Sequence, residues 1–158
     1  MSGKYAEHTS VSPEKSKMEI ERTLSRYGAT AFMTGWGNGK ALITFEAQCR
    51  RVKFVLPIPE RTAREFTHRG YTRLAQSAAD ARYDQEIRRR WRALALAIKA
   101  KLEVVQTGIA TFEEEFMAHI VLPNGSTVGE WMGPQIESSY RGGSMPPLLG
   151  PGSGGDDD

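Results

Sequence analysis

The chain has 158 residues, of which 39% are hydrophobic and 25% are charged, and these shares are typical of one globular domain with tails. A membrane-spanning helix needs about 18 consecutive apolar residues, and no apolar run in the chain is that long. The first ten residues lack the apolar core of a secretory signal. Cys49 is the only cysteine, which excludes a disulfide within the chain, so we expect a reducing cytoplasm.

The small net charge of +2 conceals an uneven distribution of charge along the chain. Residues 1–48 carry 6 basic and 5 acidic side chains, and residues 49–101 carry 14 basic and 5 acidic ones, a net of +9. Residues 102–158 carry only Arg141 against 9 acidic side chains, a net of −8. A basic body with an acidic end favours a polyanionic partner for the body.

The first predicted element is a helix over about residues 13–27, after a disordered stretch at 1–11. Ser12 can cap this helix, Pro13 suits its first position, and Gly28 is a natural stop.

A change to alternating periodicity after residue 29 predicts a three-stranded antiparallel meander. The predicted strands are residues 30–36, 40–48 and 51–56. Asn38-Gly39 is a strong hairpin signal because both residues tolerate positive φ.

Residues 57–80 have no sustained period, and we interpret them as a long basic loop with a possible helical turn around 62–67. Residues 81–107 then predict a long helix, because apolar side chains recur every three or four positions. That stripe consists of Tyr83, Ile87, Trp91, Leu94, Ile98, Leu102 and Val105.

Short elements complete the predicted domain at residues 12–141. Two capping boxes, Thr111 with Glu114 and Thr127 with Glu130, predict helices to about residues 118 and 132. A further helix is expected at 134–140, and residues 142–158 are a flexible, glycine- and proline-rich acidic tail. The fold class is therefore α+β, with the long helix packed on the sheet and short C-terminal helices.

Aromatic residues lie between the cationic ones, as in single-stranded nucleic-acid sites, where bases stack on flat side chains beside a cationic groove. Phe45, Phe54 and Trp91 are favoured as core residues, Phe66 and Tyr71 are balanced between core and surface, and Trp36 is near a hairpin tip. The predicted nucleic-acid contacts are Arg50, Arg51, Lys53, Arg61, Arg64, Arg69, Tyr71, Arg73, Arg88, Arg89 and Arg92.

The acidic end has two interpretations of equal weight. Asp156, Asp157 and Asp158 can dock partner proteins, such as replication or recombination proteins, or can simply keep the terminus soluble.

No catalytic, cofactor or metal site is predicted. Glu115 and His119 have the four-residue spacing of metal ligands but lack a second pair. The glycine-rich stretch 35–39 lies in a hairpin, outside the strand-to-helix context of a phosphate-binding loop.

Residues 19–29 (EIERTLSRYGA) and 90–136 (RWRALALAIKAKLEVVQTGIATFEEEFMAHIVLPNGSTVGEWMGPQI) together resemble a family of small proteins encoded by tailed phages and prophages. The resemblance implies action in a bacterial host cytoplasm and brings no catalytic residues.

These observations predict a non-enzymatic, phage-encoded protein that binds nucleic acid, with single-stranded DNA favoured, in phage DNA metabolism. The alternative is an interaction module that binds or inhibits a host or phage protein through the long helix and the acidic end. Ala93, Ala97 and Ala100 suit helix packing in such a complex or in a homo-oligomer.

Overall fold

The computed structural model describes residues 6–143 and has an α+β fold, which confirms the predicted class. Of the stretch predicted to be disordered at 1–11, residues 6–11 are described; Ala6 is buried, and the carbonyls of Glu7 and Thr9 accept hydrogen bonds from Gln85. Of the tail predicted at 142–158, Gly142 is the last residue of a helix and Gly143 caps that helix. Residues 1–5 and 144–158, with the three aspartates, lie outside the described residues. The strands are β1 (Ala31–Gly37), β2 (Lys40–Ala47) and β3 (Arg50–Pro57), and the two helices that pack beside each other are α1 (Pro13–Tyr27) and α3 (Gln76–Gln106). The strands form one antiparallel sheet in the order β1-β2-β3.

Tight turns fix the register of this sheet. Asn38 and Gly39 join β1 to β2 with φ of +51° and +70°, as the asparagine–glycine signal predicts. Gln48 and Cys49 join β2 to β3 with φ of +53° and +58°, although neither is glycine. Side chains of β2 and β3 therefore alternate strictly, and Ile43 lies opposite Phe54 on the inner face of the sheet.

Helix α1 has the predicted bounds. The Ser12 hydroxyl accepts a hydrogen bond from the Lys15 amide, and Gly28 ends the helix with φ of +102°. Its buried side chains include Ile20 and Leu24, which join the core.

Helix α3 begins at Gln76, five residues before the predicted start, and packs beside α1 in a parallel direction. The direction follows from contacts that advance together along both segments: Gln85 donates to the carbonyl of Thr9, and Arg92 pairs with Glu19. Its buried residues Trp91, Ala95, Ile98 and Leu102 belong to the core on the inner face of the sheet.

Aromatic rings close the core at the C-terminal end of α3. Phe116 is fully buried and makes edge contacts with Phe45 and Phe54, with ring centroids 5.9 and 6.3 Å apart. Phe112 stacks on Tyr27, which ties the end of α1 to the same cluster. Trp91 is buried as well, so the three aromatic residues predicted for the core all belong to it.

The segment predicted as a long loop at 57–80 contains regular structure. Helix α2 (Arg64–Thr67), at the place expected for a helical turn, leads into a hairpin of β4 (His68–Arg69) and β5 (Thr72–Arg73). The side chain of Arg82 on α3 donates to the carbonyls of Glu65 and His68, which anchors this segment to α3. Tertiary contacts determine the structure of this segment, and because its sequence has no periodic pattern, its hairpin was not predicted.

The C-terminal part begins with helix α4 (Phe112–Phe116), which continues as a 3₁₀ turn at Met117–His119. Both predicted capping boxes are present. Helix α5 (Val128–Gly142) is one continuous helix, so the prediction of two short helices is wrong. Pro134 lacks only one amide donor and lies on an exposed part of α5, where the lost hydrogen bond does not end the helix.

Within residues 6–143, none of the helices has the length and hydropathy needed to cross a membrane.

Candidate nucleic-acid interface

An exposed tyrosine between two arginines forms the tip of the β4–β5 hairpin. Tyr71 is 99% exposed, and Arg69 and Arg73 are exposed beside it. Gly70 provides the tight turn with φ of +62°, and its carbonyl accepts a hydrogen bond from Arg64 at 3.2 Å. The hairpin therefore presents one aromatic ring and a set of cations to solvent.

Packing against the first half of α3 supports this tip. Phe66 is buried, not exposed, and its ring meets the edge of Tyr83 at 5.4 Å between centroids. Arg61 lies 4.2 Å from the centroid of the Tyr83 ring and pairs with Asp80 at 2.9 Å. Arg61 thus stabilises the segment internally, and its charge is already compensated.

The cations of β3 have acidic partners. Arg50 pairs with Glu113 and Arg51 with Glu46, each at 2.8 Å. Lys53 lies 3.8 Å from Glu130 and donates to a backbone carbonyl. Exposed pairs of this kind stabilise the fold little, but they reduce the positive potential that the sequence predicts for this strand.

The predicted arginines of α3 are also engaged. Arg89 binds Glu86 at 2.6 Å, which lowers the pKa of Glu86 and raises that of Arg89. Arg92 binds Glu19 of α1, and Arg88 donates to the side-chain oxygen of Gln85 at 2.7 Å. Of these three arginines, Arg92 connects α3 to α1, whereas the partners of Arg88 and Arg89 lie on α3 itself, and Arg88 forms no ion pair within residues 6–143.

The structure brings together only part of the predicted contact set. Arg64, Arg69 and Arg73 form no ion pair within residues 6–143, and they lie with Tyr71 on one short segment. The other predicted cations lie on β3, at Arg61 and along α3. Asp156, Asp157 and Asp158 lie outside the described residues. We call residues 64–73 the basic hairpin segment.

Burial and packing exclude most aromatic side chains near the basic residues as stacking groups. Phe54 and Phe66 are buried, and Tyr83 lies under Arg61. Trp36 is 90% exposed on β1, beside the β1–β2 turn. The ring best placed beside unpaired arginines is therefore that of Tyr71.

A second cationic surface, missed in the sequence, is a groove of about 580 Å³ between α1 and α3. Its cations without an ion pair in the described part of the chain are Lys15, Arg22, Arg26 and Lys99. The sequence signal for this groove is the helical spacing of Lys15, Arg22 and Arg26, which places the three cations on one side of α1. Arg26 lies in the last turn of α1, where a cation stabilises the negative end of the helix dipole, so this one of the four cations has a structural explanation.

Glu115 and His119, which have the sequence spacing of metal ligands, contact other side chains of the fold. His119 stacks on Phe54 at 4.1 Å between centroids, and Glu115 pairs with Lys101 at 3.5 Å. Burial, and then the nearby charge of Lys101, lower the pKa of His119. No group of three or more acidic, histidine or cysteine side chains in the described ranges is placed to hold a metal ion.

Comparison of the chain with protein-family models, with curated proteins and with solved structures gave no match in any of the three.

Proposed function

We propose that this chain is a non-enzymatic nucleic-acid-binding protein that prefers single-stranded DNA and binds it through the basic hairpin segment. The observation that carries the proposal is the fully exposed ring of Tyr71 between Arg69 and Arg73. Neither of these arginines forms an ion pair with another described residue. An exposed ring offers a surface for base stacking, and the flanking guanidinium groups suit the phosphates on either side of that base.

The preference for a single strand follows from the geometry of stacking. A base in a duplex is already stacked on its neighbours, so a ring on a hairpin tip gains contact only with a base that is free. The resemblance to phage and prophage proteins supports a role in phage DNA metabolism in the cytoplasm of a bacterial host, beside replication or recombination proteins.

The test is a titration of purified protein with labelled single-stranded DNA, double-stranded DNA and RNA at two salt concentrations. We expect salt-sensitive binding with the single strand favoured. Replacing Tyr71 with Ala should weaken binding by about 1–3 kcal/mol, or roughly 5- to 150-fold, since one stacking contact is lost. Tyr71→Phe, which keeps the ring, should bind almost as the natural chain does.

Absence of binding at low salt would overturn the proposal. Equal losses for Tyr71→Phe and Tyr71→Ala would exclude stacking as the source of affinity.

A second candidate function is protein interaction, and helix α5 is the observation that favours it. Its residues are all at least partly exposed, and Ile136 and Tyr140 lie one turn apart on one side of it, with Tyr140 88% exposed. An amphipathic helix of this kind fits an apolar groove on another protein, and Glu130 and Glu137 favour a groove with basic edges. This candidate requires a chain that ignores nucleic acid and captures a host or phage protein, with capture lost on Ile136→Glu.

A further inference from the structure

The two edges of the three-stranded sheet differ in whether another described segment of the chain pairs with them. At the β3 edge, Ile120 bridges to Val52, and the Val121 amide donates to the carbonyl of Arg51 at 2.8 Å. At the β1 edge, no strand among residues 6–143 pairs with β1 on its outer side. The sequence of β1, AFMTGWG, has neither a charged residue nor a proline, the usual means of blocking an exposed edge.

The hydrogen-bond pattern shows which residues of β1 point their backbone groups outward. Ile58 donates to the carbonyl of Gly39, so odd-numbered residues of β2 bond to β3 and even-numbered ones bond to β1. By the register of β1 with β2, the residues of β1 that bond to β2 are then odd-numbered. The amides and carbonyls of Phe32, Thr34 and Trp36 therefore point away from the sheet.

We propose that this edge pairs with β1 of a second copy of the chain, antiparallel, about a two-fold axis through Thr34. Thr34 then lies opposite Thr34 of the second copy, and Phe32 lies opposite Trp36. These are the outward-pointing residues, so each opposed pair exchanges both backbone hydrogen bonds. The two sheets become one sheet with strand order β3-β2-β1-β1-β2-β3.

The side chains of β1 fit this register on both faces. On the inner face, Phe32 and Trp36 form an aromatic cross-strand pair, a favourable combination in sheets. On the outer face, Met33, which is 67% exposed, lies opposite Gly35 of the second copy, where the missing side chain leaves room for it. The exposure of Thr34 and Trp36 shows that the helices of one chain do not cover this strip of the inner face.

Gly35 has no explanation within a single chain. It does not have a positive φ, and a Cβ added there would meet no atom within 4 Å. Glycine weakens the interior of a strand, so its presence accords with close approach by another chain.

The test is the mass of the full-length protein in solution, measured by light scattering from low micromolar to submillimolar concentration. The natural chain should dimerise within this range, and Gly35→Glu should be monomeric at every concentration because it places a charge against Met33 of the other copy. Val55→Glu is the matched control. Gly35, Leu42 and Val55 lie in one row across the sheet, so the control adds the same charge to the same face, two strands from the edge.

A second measurement tests the register and does not depend on the folding of Gly35→Glu. With Cys49 replaced by Ser, Thr34→Cys should form a disulfide-linked dimer under mild oxidation, since opposed residues have Cα atoms about 5.5 Å apart. Met33→Cys should cross-link much less, because its counterpart lies diagonally at about 7–8 Å. A monomeric natural chain, a dimer that survives Gly35→Glu, or stronger cross-linking at residue 33 would each overturn the proposal.

Discussion

The salt dependence of DNA binding should separate the arginines that are free from those that are paired. Each phosphate contacted on a single strand contributes about 0.7 to the slope of log K against log salt concentration. Replacing Arg69 and Arg73 with Ala should therefore make the slope shallower by about 1.4. Between about 50 and about 200 mM salt, the natural chain should lose roughly sevenfold more affinity than the double variant.

The matched control is the double variant Arg50→Ala, Arg51→Ala. It removes the same formal charge from adjacent exposed positions, but both guanidinium groups lie 2.8 Å from carboxylates of the chain itself. We expect its slope to remain close to that of the natural chain. Fluorescence anisotropy with a labelled oligonucleotide at four or more salt concentrations measures both slopes, and circular dichroism verifies folding.

Equal changes of slope in the two double variants would refute the reasoning, because ion pairing would then not decide which arginines contact phosphate. No change of slope in Arg69→Ala, Arg73→Ala would remove the basic hairpin segment from the site.

Further predictions concern stability. Phe116→Ala should lower the free energy of unfolding by about 3–5 kcal/mol in urea titrations, because it empties the centre of the aromatic core. Thr111→Ala should cost about 1 kcal/mol, since it removes the cap of α4. The pKa of His119 is lower in the folded chain than the ordinary histidine value of about 6.5, so between these two values the unfolded chain binds a proton there that the folded chain does not. The free energy of unfolding should therefore decrease as the pH falls through this window, and His119→Phe should flatten the decrease.

A natural decline that persists in His119→Phe would contradict the assignment to that ring. Unfolding free energies within about 1 kcal/mol for Phe116→Ala and the natural chain would show that the site collapses around the cavity.

The fold was predictable where local chemistry determines structure. Asn38-Gly39 selects a tight hairpin, Ser12 and Gly28 delimit α1, and the capping box at Thr111 starts α4, because each signal acts over a few residues. The segment 57–80 lacks such signals. The β4–β5 hairpin depends on Arg82, which lies on α3, 14 positions after His68. The structure of this segment could therefore not be predicted from its own residues.

The candidate site was only partly predictable, because charge counts treat every cation as free. Arg92 finds its partner in Glu19, 73 positions away, and Arg50 finds Glu113, 63 positions away. These pairs form only when the chain has folded. The sequence leaves Tyr71 balanced between core and surface because its segment has no period, and only the hairpin geometry places its ring in solvent.

Helix α3 is longer than the sheet it covers. Its 31 residues extend about 46 Å, and Arg90, which donates to the carbonyl of Pro57, marks the end of the sheet. Residues 76–86 therefore lie beyond the central core, which Ile87 still contacts, and they support the basic hairpin segment with Ala79 as their one buried residue. Amide hydrogen exchange should reveal two cooperative units along one helix, with fast local opening before Arg90 and exchange only through global unfolding between Trp91 and Leu102. Bound single-stranded DNA should slow exchange in the first unit alone. The local stability of the first part of α3 would then change on binding while that of the core part stays the same.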